Sequence, residues 1–152
     1  MQWGDKLLKF NGQTIAYDSM GNPTSYLGTT LSWQGKQLTT YVGNSKTISF
    51  SYNEDGLCLK KTVNNVDTNY YYNGSVLMAM TSGTIFQRFS YDASGKVVSV
   101  DYSENSGSSY TTYYYLRNAQ GDVVKLIDGS GNTVVEYIYD SWAESLWYYT
   151  LH

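Results

Sequence analysis

An all-β fold, built as an array of antiparallel β-hairpins, is predicted by two features of this sequence. The first is composition: the 152 residues include 17 tyrosines and 14 glycines but a single proline, Pro23. Tyrosine favours strands and glycine favours turns. The second is spacing, because turn signals recur about every ten residues, with strand-forming runs between them. We therefore expect one hairpin domain over residues 1–152.

Twelve short segments rich in glycine, asparagine and aspartate are the predicted turns, and they imply about thirteen strands. Glycine and asparagine tolerate the positive φ that narrow hairpin turns require. The predicted turns are 11–12, 19–22, 34–35, 43–44, 53–56, 64–65, 73–74, 82–83, 92–95, 105–107, 120–122 and 128–132.

The runs between the turns carry apolar residues on both faces. In the last clear run, Val135 and Tyr137 fall on one face and Val134 and Glu136 on the other, since side chains alternate along a strand. Helical spacing is rare. Residues 141–151 are the exception, and they are predicted as a possible short helical or irregular cap.

A five-residue signature recurs among the turns: tyrosine, then aspartate or asparagine, two variable residues, and glycine. We expect the tyrosine ring to pack at the strand end, the acidic or amide side chain to bond turn amides, and glycine to take the left-handed position. The repeat residues are Tyr17, Asp18 and Gly21; Tyr52, Asn53 and Gly56; Tyr91, Asp92 and Gly95; Tyr115, Gly121 and Asp122; and Tyr139 and Asp140, which lack the glycine.

These units, together with the run 113–140, resemble the bacterial rearrangement-hot-spot (RHS) and YD-repeat family over about residues 8 to 142. The run is similar to the start of that family's repeat-associated core. The resemblance implies a curved or partly closed β-sheet ribbon, part of a hollow shell that encloses the toxic C-terminal part of a secreted toxin. The family's Tyr-Asp-Pro step reads Tyr139-Asp140-Ser141 here. No protease aspartate is therefore carried over.

Several chemistries are excluded by the residues that the chain lacks. His152 is the only histidine and Cys58 the only cysteine, which argues against His/Cys zinc clusters, Ser-His-Asp and Cys-His catalysis, and an internal disulfide. A net charge of −3 argues against a nucleic-acid partner. No apolar run is long enough for a membrane span, and no signal peptide is recognised.

Each candidate site has a simpler structural interpretation, which we favour. Asp18, Asp92 and Asp140 are read as turn caps, and 128–132 as a glycine-rich turn and not a calcium loop. The tyrosine triplets 70–72 and 113–115 are read as packing residues. The remaining candidates are Cys58, read as a strand residue, and Lys60, Lys61 and Arg88, read as solvated residues or cross-strand partners of acids.

The predicted function is a non-catalytic structural or binding module of a toxin-delivery protein, with no catalytic, cofactor-binding or metal-binding residues. The alternative is a stand-alone module that binds a protein or a glycan, such as a small inhibitor of a larger enzyme. We expect a protein partner, a second copy bound through sheet edges, or a toxin cargo. The compartment is not assigned, although the family resemblance implies secreted or cell-surface proteins.

Overall fold

The computed structural model describes residues 6–139 and 145–149, and the side chains of 6–137. Every regular element among these residues is a strand, which confirms the predicted all-β hairpin array. The strands are β1 Lys9–Phe10, β2 Gln13–Thr14, β3 Ala16–Tyr17, β4 Pro23–Tyr26, β5 Thr29–Gln34, β6 Gln37–Gly43, β7 Lys46–Tyr52, β8 Cys58–Val63, β9 Val66–Asn73, β10 Val76–Ser82, β11 Ile85–Tyr91, β12 Val97–Ser103, β13 Thr111–Arg117, β14 Val123–Ile127, β15 Thr133–Tyr139 and β16 Ser145–Tyr149.

The strands fall into two compact units, the first ending at Tyr70 and the second beginning at Tyr71. In the first, β1 and β2 form a small hairpin of their own, and β3 to β9 pair antiparallel in chain order. In the second, β10 to β16 pair antiparallel in chain order. The expectation of one domain over 1–152 stays a prediction.

No helix that is both long and apolar enough to cross a membrane occurs among the residues that the structure describes.

Burial is slight in both units, because each strand contacts chiefly the strands next to it in sequence. Among the described apolar side chains, Ile15, Val100 and Leu126 are the most enclosed, with exposures of 6%, 5% and 9%. Each unit is therefore stabilised by cross-strand pairs and by turns more than by a deep core.

Narrow turns with two consecutive residues at positive φ join several neighbouring strands. Asn11-Gly12 and Asn64-Asn65 are of this kind, at the positions that the sequence predicts, whereas the turn predicted at 43–44 lies one residue later, at Asn44-Ser45. A turn that the sequence did not predict joins β4 to β5 at Leu27-Gly28, with φ of 48° and 77°. Leucine carries no turn signal, because its side chain is unfavourable in the left-handed region.

Leu27→Asn is expected to stabilise the first unit. Leu27 is 40% exposed and holds a φ of 48°, a conformation that costs an ordinary residue about 1–2 kcal/mol and that asparagine adopts more readily. We expect a gain of about 1 kcal/mol, measured by urea unfolding at equilibrium. A loss of stability would show that the apolar contacts of Leu27 outweigh its backbone strain.

The possible helical or irregular cap at 141–151 is corrected at residues 145–149, which form strand β16 and pair with β15. The register places Trp147 opposite Tyr137 and Leu146 opposite Ile138. Aromatic residues favour strands, and the edge of β15 supplies unpaired backbone groups that a strand can satisfy and a helix cannot. The other residues of the predicted cap lie outside the described residues.

Candidate functional site

Five turns in the described residues share one hydrogen-bonding pattern. In each, a first residue donates its backbone N–H to the carbonyl four residues on, and its own carbonyl accepts from the glycine three residues on, at 2.9–3.1 Å. The glycines have φ between 80° and 95°. This is a type I turn followed by a left-handed glycine, the three-residue hairpin loop with a bulge. The first residues are Asp18, Asn53, Asp92, Asn118 and Asp128.

The first side chain of each turn holds the loop closed. Asp92 Oδ1 accepts from the backbone N–H of Ser94 at 2.8 Å and of Lys96 at 3.0 Å. Asp128 Oδ1 does the same with Ser130 and Asn132, both at 2.9 Å. These amides have no partner in the strand ladder, so the side chain replaces water as their acceptor. Asp18 accepts from the corresponding two amides, and Asn53 and Asn118 each accept from the backbone N–H four residues on.

The tyrosine before the turn ties it to a neighbouring part of the chain. Tyr52 Oη donates to the carbonyl of Leu38 at 2.8 Å, and Tyr91 Oη to the carbonyl of Leu77 at 2.5 Å; each acceptor lies fourteen residues upstream. Tyr17 Oη donates to the carbonyl of Leu7 at 2.8 Å. The hydroxyl thus satisfies a backbone acceptor, which for Tyr52 and Tyr91 lies on the adjacent strand.

The fourth turn differs from the predicted assignment, which placed Tyr115 at the repeat position. Its first residue is Asn118, and Arg117 stands where the first three units have tyrosine. The guanidinium donates to the carbonyls of Gly121 at 2.8 Å and Val97 at 3.0 Å. Arginine substitutes here because its planar fork can reach two carbonyls from one position. The Asn-x-x-Gly spacing alone could have located this turn.

The fifth turn begins at Asp128, preceded by Ile127, which lacks a hydroxyl and makes no tyrosine-type anchor. This turn lies within 128–132, which the sequence predicts as a glycine-rich turn. The sequence instead places the last repeat unit at Tyr139 and Asp140. Asp140 lies outside the described residues, as does the side chain of Tyr139.

Acid is expected to weaken these turns. The pKa of Asp18 is lowered by the Asn22 backbone N–H, that of Asp92 by the Ser94 hydroxyl, and that of Asp128 by the Asn132 side chain. Because the folded-state pKa lies below the unfolded value, each carboxylate stabilises the fold above about pH 4, and this stabilisation is lost as the pH falls through the folded pKa. Thermal unfolding from pH 7 to pH 2.5 should show the loss.

The matched variant replaces all three aspartates with asparagine, as the chain itself has at Asn53 and Asn118. Asparagine keeps the oxygen that accepts the turn amides but cannot titrate. We expect a stability near that of the unmodified chain at pH 7 and a shallower decline below pH 4. An identical acid decline in both proteins would contradict the assignment.

In the second unit, a shallow cleft of about 340 Å³ lies beside the turns that begin at Asp92 and Asn118. Phe89, Tyr91 and Tyr115 line it, with Lys96 and Arg117 at the same place. Burial raises the pKa of Tyr115 to about 12, and the nearby Tyr137 and Tyr91 add to that rise. A phenol in such surroundings stays protonated, so the cleft is an aromatic surface and not a source of a nucleophilic oxygen.

The face opposite this cleft carries charged pairs. Arg88 Nη2 lies 2.8 Å from Asp101 Oδ2, and Thr112 Oγ1 donates to Asp101 Oδ1 at 2.7 Å across three strands. Lys125 Nζ lies 3.1 Å from Glu136 Oε1. In the first unit, Lys60 Nζ lies 2.6 Å from Asp67 Oδ2. The interpretation of Lys60 and Arg88 as cross-strand partners of acids is confirmed.

The remaining candidates are strand residues. In the triplet 113–115, Tyr113 and Tyr115 are half-buried and Tyr114 is 45% exposed, as strand alternation requires. In the other triplet, Tyr71 is 50% exposed. Cys58 is half-buried in β8, where its thiol bonds the carbonyl of Lys60 at 3.4 Å.

Metal ligation and paired-acid chemistry find no geometric support in the described ranges. No group of three or more histidine, cysteine, aspartate or glutamate side chains there could hold a metal ion. The carboxylates of Asp18, Asp92 and Asp128 each accept hydrogen bonds from the backbone amides of their own turns. The arrangement of the described residues is suited to presenting sheet faces and turns.

Comparison with known proteins gives a consistent set of relatives. The chain is 35% identical over 146 residues to the tRNA3(Ser)-specific nuclease WapA of Bacillus spizizenii, 34% identical over 146 residues to the tRNA nuclease WapA of Bacillus subtilis strain 168, and 35% identical over 157 aligned positions to the tRNA(Glu)-specific nuclease WapA of Bacillus subtilis subsp. natto. Each match covers 91% of this chain and 6% of the relative. No protein-family model matches the chain.

The prediction that this chain has no enzymatic role is contradicted by these relatives, since all three are named as tRNA nucleases. A single histidine and a single cysteine exclude only chemistry that depends on those residues. The assignment of Asp18, Asp92 and Asp140 as turn caps concerns these 152 residues alone. The chain spans about 6% of the length of the relatives it matches.

Proposed function

We propose that the chain is a β-hairpin repeat module of a toxin-related protein similar to the WapA tRNA nucleases. The observation that carries this proposal is the recurrence of one turn, five times, in sheets whose strands contact chiefly their neighbours. Such units extend by adding hairpins, which suits a short stretch of a much longer wall. The identity of 34–35% to three tRNA nucleases supports the same context.

We further propose that the module belongs to the RHS and YD-repeat type, so that its sheet forms part of a shell around other segments of the same polypeptide. The Tyr-Asp-x-x-Gly turns support this, because each fixes the direction in which the next hairpin leaves. The aromatic cleft lined by Phe89, Tyr91 and Tyr115 supports it as well, since an open aromatic surface is stabilised when another segment covers it. Cleavage of tRNA is then an activity of the whole polypeptide.

The direct test is a nuclease assay on the complete polypeptide that contains this chain. Purified protein is incubated with total tRNA, and the products are resolved on a denaturing gel. Discrete tRNA fragments support the proposal, and intact tRNA under all metal and pH conditions would refute it. The 152-residue chain, assayed in parallel, shows whether the catalytic groups lie inside or outside this module.

The structural part of the proposal has its own test in the same complete polypeptide. Gly95→Val blocks the left-handed residue of the third turn, where φ is 80°, and it should increase the protease sensitivity of the segments that the shell encloses. Gly129→Ala lies at an ordinary φ with open space around it and serves as the control. Equal proteolysis of both variants would contradict a shell role.

A protein partner or second copy bound through a sheet edge is also proposed. Strand β16 pairs with β15 on one side, and in the described part of the chain no strand pairs with its other side. Unpaired strand edges accept added strands. Light scattering of the isolated chain should detect self-association. A chain that is strictly monomeric and binds no other protein would count against this proposal.

A further inference from the structure

The aromatic cleft of the second unit is built by four adjacent strands. It is lined by Leu77 of β10, Phe89 and Tyr91 of β11, Val97 of β12 and Tyr115 of β13. Each of these side chains is half-buried. The cleft therefore presents apolar surface that is partly in contact with water, and an apolar side chain that covers this surface is stabilised there.

Two cations line the same cleft and converge on Gly121. Arg117 Nη1 donates to the carbonyl of Gly121 at 2.8 Å. Lys96 Nζ lies 3.8 Å from the position that a Cβ on Gly121 would take. The turn that begins at Asn118 therefore brings a cation of β13 and a cation of the preceding turn to the same place.

Both cations keep hydrogen-bonding capacity that the described residues do not use. Arg117 donates to two carbonyls, those of Gly121 and Val97, and a guanidinium has five N–H groups. In the part of the chain that the structure describes, neither Lys96 nor Arg117 forms an ion pair with a carboxylate. A carboxylate placed beside Gly121 would accept charge-assisted hydrogen bonds from both side chains.

The acidic side chains nearest in sequence do not occupy this place. Asp92 Oδ1 accepts from the backbone N–H groups of Ser94 and Lys96, and Asp122 Oδ2 accepts from Asn118 Nδ2. Neither aspartate lines the cleft, whose charged lining residues among those described are both cations. Two cations beside two carboxylates, on a chain of net charge −3, do not suit a polyphosphate backbone, which is bound by many cations acting together.

We propose that the aromatic cleft binds an acidic peptide segment of a partner protein. A leucine or phenylalanine side chain of the partner packs against Phe89 and Tyr115. A neighbouring carboxylate of the partner accepts from Lys96 and Arg117. The apolar contact supplies affinity, and the two cations select an acidic sequence over a basic one.

The size of the cleft agrees with this occupant. Its volume of about 340 Å³ is at the small end of ligand sites, which span about 300–1,000 Å³. It can take one or two side chains of a peptide. The inference goes beyond the proposed function, because it requires neither nuclease activity nor a shell.

The test titrates the 152-residue chain with short peptides whose termini are blocked, and follows binding by NMR and by isothermal titration calorimetry. The first peptide contains Asp-Phe-Leu-Glu, the second has Asn and Gln in place of its acids, and the third has Ala in place of Phe and Leu. A short single-stranded RNA represents the other class of partner.

We expect saturable binding of the first peptide with Kd below about 1 mM, and weaker binding as the salt concentration rises. The second and third peptides should bind at least about fivefold more weakly. Equal affinity for the acidic peptide and its amide counterpart overturns the proposal. So does a lack of saturation with the acidic peptide, or tighter binding of the RNA.

Two variants with the same change in net charge locate the site. Lys96→Gln removes an exposed cation of the cleft, and it should weaken binding of the acidic peptide about fivefold. Lys125→Gln is the control, because Lys125 belongs to the same unit and pairs with Glu136 on the face opposite the cleft. Its affinity should stay within about twofold of the unmodified chain. Equal losses in the two variants, or unchanged affinity in Lys96→Gln, refutes the site.

Discussion

Val100→Asp is expected to unfold the second unit at ordinary temperatures. Val100 is 5% exposed and pairs with Phe89 of β11 and Tyr113 of β13 at the centre of its sheet. The substitution removes a buried apolar side chain and places a charge where no cation is paired with it. We expect a loss of at least about 3 kcal/mol in the free energy of unfolding, measured by urea denaturation with tyrosine fluorescence.

Val98→Asp is the matched control, since Val98 lies on the same strand and is 39% exposed. Its carboxylate would remain in water, so the expected change is within about 0.5 kcal/mol. A similar loss in both variants would mean that any added charge disrupts the strand. A small loss in Val100→Asp would show that the thin core around Val100 contributes little to stability.

The turns were the most predictable part of the molecule, because their geometry depends on residues close together in the sequence. Asp92 and Gly95 lie within four residues of one another, and the bonds that fix them are also local. The hydroxyl bond from Tyr91 to the carbonyl of Leu77 was not predictable in the same way. It depends on the pairing of separate strands, which no short motif encodes.

Three differences from the predicted fold share a physical origin. Leu27 occupies a left-handed position that its residue type disfavours, Arg117 does the work expected of a tyrosine, and Ser145–Tyr149 forms a strand where a cap was expected. The backbone of Leu27 is set by the pairing of the strands on either side of it, and that of Ser145–Tyr149 by pairing with β15. Arg117 is held by two carbonyls that accept from its guanidinium. Pairing between strands and bonds to distant carbonyls are tertiary effects that the local preference of a residue does not encode.

Two clefts lie in the second unit, one beside the loop 104–110 and one beside the turns that begin at Asp92 and Asn118. The residues that line them could not be predicted from the sequence. Tyr113 and Tyr115 stand two residues apart on one strand, yet one lines the polar cleft with Glu104 and the other lines the cleft with Arg117. A tyrosine-rich composition predicts aromatic surfaces, but it does not predict which charged residues lie beside the rings. Glu104 belongs to the loop before β13 and Lys96 to the loop before β12, whereas Arg117 is on the same strand as both tyrosines. The charge beside a ring influences which ligand the ring can accept.

Gly43→Ala is expected to destabilise the first unit even though alanine is ordinarily the better residue. A Cβ added to Gly43 would lie 2.6 Å from Thr29 Cγ2, 3.0 Å from Thr29 Cβ and 3.2 Å from the backbone Cα of Thr29. Thr29 is 8% exposed and its hydroxyl donates to the carbonyl of Tyr26, so it cannot easily move aside. The expected loss is about 3 kcal/mol, measured by urea unfolding.

Gly129→Ala separates this steric effect from the general effect of losing a glycine. Gly129 has an ordinary φ, and nothing lies within 4 Å of the position that its Cβ would take. Replacing such a glycine stabilises a protein by about 0.4–1 kcal/mol, because the unfolded chain loses freedom. The two alanine variants should therefore differ in sign. If both raise stability, the close approach of Gly43 to Thr29 is relieved at no cost, and the β4–β5 and β6–β7 hairpins are less tightly packed than their geometry indicates.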